Sequence, residues 1–180
     1  MTHRQRIKIL VVGQCATGKS ALIKRYCEGS YDKRYHKTIG VDYGSKYVSF
    51  QVEDKTVDAV IDIFDLSGDS EYFEIRNEFY RDMNGCLLVY DKSNSQSFVK
   101  LDEWLQEGRR FGLSCSLPTV LCANKTDLES WTVSMDEGLK YAQKHGMTIF
   151  ETSAKNGENV KLMFEHLFCH VVQYQYFIKE

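Results

Sequence analysis

Four short runs of nearly unbroken apolar residues punctuate the chain: Ile7 to Val12, Gly85 to Tyr90, Thr119 to Ala123 and Met147 to Glu151. Runs of this length predict strands buried on both faces of a parallel sheet. Between them the apolar positions change to a helical spacing. Ser93 followed by Gln96, and Ser134 followed by Glu137, have the form of capping boxes that open helices of about fifteen residues. Near the C-terminus Val160, Phe164, Leu167, Phe168, Val171 and Val172 fall on one face of a final helix. Two further extended segments, Tyr43 to Gln51 and Thr56 to Phe64, are joined by the polar Glu53-Asp54-Lys55 connection, which predicts a hairpin adding one antiparallel edge strand. The predicted order is β-α-β-β-α-β-α-β-α: an α/β fold with a six-stranded, mostly parallel sheet and helices on both faces. There is no internal repeat or low-complexity segment.

Composition narrows the picture. The 180 residues, 43% of them hydrophobic and only one a proline, are read as a single domain over residues 1–180. The 23 basic residues are dispersed among 25 acidic ones for a net charge of −2, so general nucleic-acid affinity is not expected and function must reside in a site. No N-terminal apolar signal region and no stretch of about 18 apolar residues occurs, so a cytoplasmic protein is expected. Cys15, Cys27, Cys86, Cys115, Cys122 and Cys169 form no C-x-x-C pair and read as free thiols rather than disulfides or zinc ligands.

The candidate chemistry begins directly after the first strand. Gly13-Gln14-Cys15-Ala16-Thr17-Gly18-Lys19-Ser20 is a full G-x-x-x-x-G-K-[ST] phosphate loop followed by a helical pattern, and these residues with Ala21 are the expected nucleotide contacts. Its backbone N–H groups and the helix N-terminus can wrap phosphates, the Lys19 ammonium can reach the outer ones, and the Ser20 hydroxyl can ligate Mg²⁺. Gly13 and Gly18 serve where the backbone must turn tightly or approach an oxygen. In an open parallel sheet ligands bind at the carboxyl ends of the strands, and three further motifs fall there. Asp65 to Gly68 reads D-L-S-G, where Asp65 can hold Mg²⁺ through water and Gly68 can present an N–H to a terminal phosphate. Asn124-Lys125-Thr126-Asp127 ends the fifth strand; Asp127 can accept two hydrogen bonds from guanine, and the Lys125 stem can lie over the ring. Ser153-Ala154-Lys155 ends the sixth, where a backbone N–H can meet the guanine carbonyl. Taken alone, D-x-x-G is a common turn and S-A-K a common helix cap.

Together with Thr38-Ile39-Gly40-Val41-Asp42-Tyr43, these motifs, in this order, resemble a small Ras-superfamily GTPase. The T-I-G-V-D-Y segment is similar to the first switch of the Rab branch. Ile23 to Glu28, Asp42 to Gly44, Arg76 to Tyr80 and Phe150 to Ala154 are closer still to the Rab-like RJL group, some members of which carry a J domain. The resemblance implies that Thr38 closes onto Mg²⁺ and the γ-phosphate, that Tyr31 packs on the guanine edge, and that Asp65 to Tyr80 forms the second switch. It further implies a monomer that meets effectors, exchange factors and GTPase-activating proteins through Arg34 to Tyr43 and Asp65 to Tyr80. Tyr43, Phe64 and Phe79 would be aromatic anchors, although Phe64 reads equally well as sheet core. The expected function is a switch that binds GTP and GDP with Mg²⁺, hydrolyses GTP slowly and signals to effectors. Lys19, Thr38, Gly68 and Asp69 are its catalytic positions.

Two departures stand out. Most family members have glutamine where this chain has Asp69, and a carboxylate cannot donate as an amide does and brings negative charge towards an anionic phosphate. Slow intrinsic hydrolysis is therefore expected, and a nucleotide-holding scaffold without hydrolysis is the rival reading. The chain also ends Tyr176-Phe177-Ile178-Lys179-Glu180 without a prenylation signal, so no lipid anchor is expected and any membrane association is through partners.

Overall fold

Strand β1 (Gln5–Val12) has its side chains divided between two faces, and the division organises the molecule. Ile7, Ile9 and Val11 enter one hydrophobic cluster, while Leu10 and Val12 enter another on the opposite side. The same alternation runs through β4 (Gly85–Asp91) and β5 (Thr119–Asn124), as expected of strands covered on both faces. The computed structural model describes residues 5–178; the expectation about the C-terminal signal at Tyr176–Glu180 extends beyond them.

The six strands lie in the order β2-β3-β1-β4-β5-β6, with β6 spanning Thr148–Thr152. All neighbours are parallel except β2 (Val41–Val52), which pairs antiparallel with β3 (Lys55–Leu66). The hairpin is tighter than the three-residue connection expected: Val52 pairs with Lys55, leaving Glu53, at φ 53°, and Asp54 as the turn. Helices α1 (Lys19–Glu28) and α6 (Val160–Ile178) cover the first face. A short α2 (Phe73–Arg76) follows β3. On the second face, α4 (Leu101–Arg110) and α5 (Met135–His145) supply Leu101, Trp104, Leu105 and Ala142 to the core.

The Ser134–Glu137 capping box forms as expected, with Ser134 Oγ accepting from the Glu137 N–H and the Glu137 carboxylate accepting from the Ser134 N–H. The Ser93–Gln96 box does not. The Ser93 hydroxyl donates instead to Asp91 at 2.7 Å, and Asn94 caps the helix by accepting from the Gln96 N–H at 3.1 Å. The helix it opens, α3 (Ser95–Val99), ends before Lys100, and α4 restarts at Leu101, so one expected helix is two. No helix among the described residues is long and apolar enough to cross a membrane.

Candidate functional site

The carboxyl ends of β1 and β3 open on a cleft of about 580 Å³ lined by residues of the phosphate loop, the loop before β2, the end of β3 and Lys125, which follows β5. Three glycines fix the loop's path by what a side chain would strike. A Cβ on Gly13, at φ 144°, would lie 2.2 Å from the Val89 carbonyl oxygen, and one on Gly18, at φ 94°, would lie 2.4 Å from the Asn124 amide nitrogen. A Cβ on Gly68 would lie 2.2 Å from the Cys15 nitrogen, so the D-L-S-G turn rests directly on the phosphate loop. Ala16 carries the loop through a left-handed conformation at φ 62°. Lys19 is buried and donates to the carbonyls of Gly13 at 2.8 Å and Gln14 at 3.1 Å, while Thr17 ties the turn by donating to Gln14 at 2.9 Å. Burial lowers the Lys19 pKa, with the nearby Asp65 carboxylate opposing the shift.

Ser20, Thr38 and Asp65 converge from three separate elements. Ser20 Oγ donates to Asp65 Oδ2 and shares a 3.0 Å hydrogen bond with Thr38 Oγ1, which itself reaches Asp65 at 3.5 Å. Asp69 does not hang free beside them. It caps the 3-10 turn Ser70–Tyr72 by accepting from the Glu71 N–H and lies 3.0 Å from Lys37 Nζ. Those two contacts, the backbone one foremost, hold its carboxyl below the usual range, so it stays ionised. Tyr31 lines the cleft beneath the Arg25 guanidinium, and the exposed Arg34, also in the lining, pairs with Asp32.

Beyond the carboxyl ends of β5 and β6, Asp127 accepts from the Ser153 hydroxyl at 2.6 Å and lies 3.4 Å from Lys155 Nζ. Burial raises its pKa, but the hydrogen bonds from Ser153 and Lys155 outweigh that and leave it lowered. Lys125 takes a left-handed conformation at φ 69° and pairs with Asp91 at 2.7 Å. Asn124 is buried between the two ends: its amide donates to the Thr17 carbonyl at 2.9 Å, and its oxygen accepts from the Ala154 N–H at 3.2 Å. Ala21 follows Ser20 in the first turn of α1, against the core.

With this geometry in place, the Ras family profile matches residues 8–173. The chain belongs to the Ras family. Similar proteins include DnaJ homolog subfamily C member 27 of Rattus norvegicus and of Homo sapiens, each 40% identical over 172 residues that cover 93% of this chain and 62% of the relative. The Danio rerio protein of that name is 40% identical over 171 residues, covering 92% of the chain and 61% of the relative. The chain thus spans somewhat less than two thirds of those relatives, whose DnaJ name agrees with the resemblance to the J-domain-bearing Rab-like group. Membership brings guanine-nucleotide binding and GTPase-type activity at the level of the family.

Ras-family proteins typically use Mg²⁺, and the residues here fit that ion. Asp65 Oδ1 is buried with no hydrogen-bond partner, beside two hydroxyls that can ligate. Among the described residues no cluster of three or more His, Cys, Asp or Glu side chains forms a metal cage. One carboxylate and two hydroxyls suit an ion that keeps water and takes its remaining ligands from phosphate.

Two groups in this Ras-family site escape sequence reading. Arg76 is buried at the end of α2, with its guanidinium 4.6 Å from the Trp104 ring, paired with Glu107 at 2.6 and 2.7 Å, and donating to the Asp69 carbonyl at 2.6 Å. Arg25 donates to the Ala154 carbonyl at 2.8 Å and to the Lys155 carbonyl, bracing the base end. Both sit in segments that resemble the RJL group, yet Glu107 lies 31 residues from Arg76 and the Ala154 and Lys155 carbonyls lie about 130 from Arg25, so local sequence carries no signal for these pairings.

Proposed function

We propose that the protein is a guanine-nucleotide switch in which GTP holds the segments Arg34–Tyr43 and Asp65–Tyr80 together and slow hydrolysis releases them. The observation that carries this reading is the meeting of Ser20, Thr38 and Asp65 in one hydrogen-bonded cluster beside the phosphate loop. Thr38 belongs to a loop and the other two to the sheet-anchored frame, so a ligand at that point decides whether the loop is held. Ser20, Thr38 and, through water, Asp65 would hold Mg²⁺, which would supply positive charge against the phosphates. Lys19 places its ammonium at the phosphates, the loop residues Gly13 to Ala21 offer N–H donors, and Gly68 brings its own N–H within reach of the γ-phosphate. Asp127 reads the guanine N1 and amine, with Lys125 and Tyr31 against the base and Ser153 to Lys155 closing the carbonyl side.

Asp69 can accept from an attacking water but cannot donate to the developing charge, which is why turnover is slow. Its occupation by Lys37 also favours the second reading, a scaffold that holds nucleotide with little hydrolysis. Single-turnover hydrolysis separates them. Asp69→Gln is expected to speed intrinsic cleavage by roughly tenfold, or about 1.4 kcal/mol of barrier. No change at saturating Mg²⁺ places Asp69 away from the reacting water.

Partner recognition is proposed at the exposed apolar residues of the two switch segments. Ile39 is 76% exposed, Tyr35 65%, Tyr43 53% and Ile75 50%, large apolar side chains open to solvent within these two segments. A monomeric, cytoplasmic protein that reaches membranes through such partners completes the proposal.

A further inference from the structure

A side-chain clasp joins the two switch segments outside the sheet, in addition to the Ser67 N–H bond to the Gly40 carbonyl. Lys37 Nζ lies 3.0 Å from Asp69 Oδ2 and 3.0 Å from Glu71 Oε2, and 5.2 Å from the centre of the Tyr72 ring. Both ends of this clasp sit next to the phosphate end of the cleft. Lys37 immediately precedes Thr38, which meets Ser20 and Asp65. Asp69 immediately follows Gly68, whose α-carbon rests on the phosphate loop, and Asp69 lines the cleft alongside Cys15, Lys19, Ser20 and Thr38.

The clasp is poorly placed to stabilise the fold. The Lys37, Asp69 and Glu71 side chains are 44%, 33% and 66% exposed, and ion pairs with that much water around them contribute little to folding. Its effect is instead on whatever anion enters beside it. Asp69 and Glu71 without a cation would oppose a phosphate with two negative charges, whereas the ammonium 3.0 Å from each leaves the trio with one. The Glu71 N–H also donates to the Asp69 carboxylate but brings no net charge, and Arg76 spends its charge on Glu107 and meets position 69 at the carbonyl, so the neutralising charge comes from the lysine.

We propose that Lys37 is the positioning residue that lets this chain carry an aspartate at position 69: it cancels the carboxylate's charge towards the γ-phosphate and draws the first switch onto the second. The inference rests on the guanine-nucleotide reading. Because only GTP places a phosphate there, the lysine discriminates between GTP and GDP, and does not act on nucleotide affinity in general.

The test is a competition titration of labelled GDP against unlabelled GDP and a non-hydrolysable GTP analogue, at saturating Mg²⁺ and low salt, on the wild-type chain and three variants. Lys37→Gln is expected to weaken the GTP analogue about fourfold, the size of one unit charge at about 5 Å in a water-dominated dielectric, and to leave GDP affinity in place. The double variant Lys37→Gln/Asp69→Asn is expected to bring the analogue back to within about twofold of wild type, relative to Asp69→Asn alone. Equal weakening of GDP and the analogue by Lys37→Gln, or a double variant as weak as Lys37→Gln alone, overturns the inference. Failure of the wild-type chain to bind labelled GDP at all overturns the guanine-nucleotide reading, and this inference falls with it. Retained GDP binding by each variant reports that it is folded.

Discussion

Replacing Arg76 with methionine removes a charge from the second switch while keeping most of the aliphatic stem between Phe73 and Trp104. The guanidinium is 6% exposed and its partner Glu107 14% exposed, with two hydrogen bonds of 2.6 and 2.7 Å between them and others to the carbonyls of Ser67 and Asp69. Breaking one side of a buried pair costs about 3–5 kcal/mol because the remaining charge is stranded. Glu107 keeps the Tyr80 hydroxyl at 2.6 Å, which places the expected loss at the low end, about 2–3 kcal/mol. For a domain of this size that lowers Tm by roughly 4–12 °C. Urea denaturation of the wild type, Arg76→Met, Glu107→Gln and the double variant measures it, with a coupling energy above about 1 kcal/mol expected. Amide hydrogen exchange should quicken over residues 67–80, since two switch carbonyls lose their donor. A loss below about 0.5 kcal/mol, or strictly additive single variants, refutes the assignment of Arg76 as the anchor of the second switch.

Asp127→Ala is expected to weaken GDP binding at least about a hundredfold, because a site built to receive hydrogen bonds from guanine discriminates steeply once they are gone; a titration with labelled GDP checks it, and an unchanged Kd refutes the base-reading role. Phe64 packs at 5.3 Å from the Tyr43 ring and 5.9 Å from the Phe79 ring and also borders the core, so Phe64→Ala should cost about 2–3 kcal/mol of stability in urea melts. Ile39→Ala, at a position 76% exposed, should cost under about 0.5 kcal/mol and act on partner binding alone. Burial pushes the Cys86 and Cys122 thiols up to about 12, so a thiol reagent should modify the exposed Cys15 and Cys115 first and reach the buried pair only on unfolding.

The central strands and the phosphate loop are legible because their signals are local: a buried strand must be apolar throughout, and a loop wrapped on phosphate must have glycine where β4 and Asn124 crowd it. Helix starts are less so. Ser93 and Asn94 are both good caps, and the choice between them depends on whether Asp91, at the end of β4, captures the serine hydroxyl. The break at Lys100 has no breaker residue to announce it. At the site, Lys19, Ser20, Asp65 and Asp127 are readable from motifs, yet the partners that settle their neighbours' behaviour come from distant segments. Asp69 looks like an unopposed negative charge until Lys37 is seen beside it. Arg76 looks like a solvated residue until the fold brings Trp104 and Glu107 around it.

Asn124, held between the Thr17 carbonyl and the Ala154 amide, makes the phosphate pocket and the base pocket parts of one receptor. Neither can drift relative to the other without breaking a buried hydrogen bond. A ligand that grips one end therefore arrives at the other already aligned, and the second set of contacts forms at a high effective concentration without a fresh loss of rotational freedom. Fragments of the nucleotide, such as the nucleoside or the pyrophosphate alone, forfeit that advantage. The whole nucleotide should bind far more tightly than the two fragment affinities, each paid for separately, would lead one to expect, and loosening Asn124 should narrow that gap even where every residue touching the nucleotide is intact.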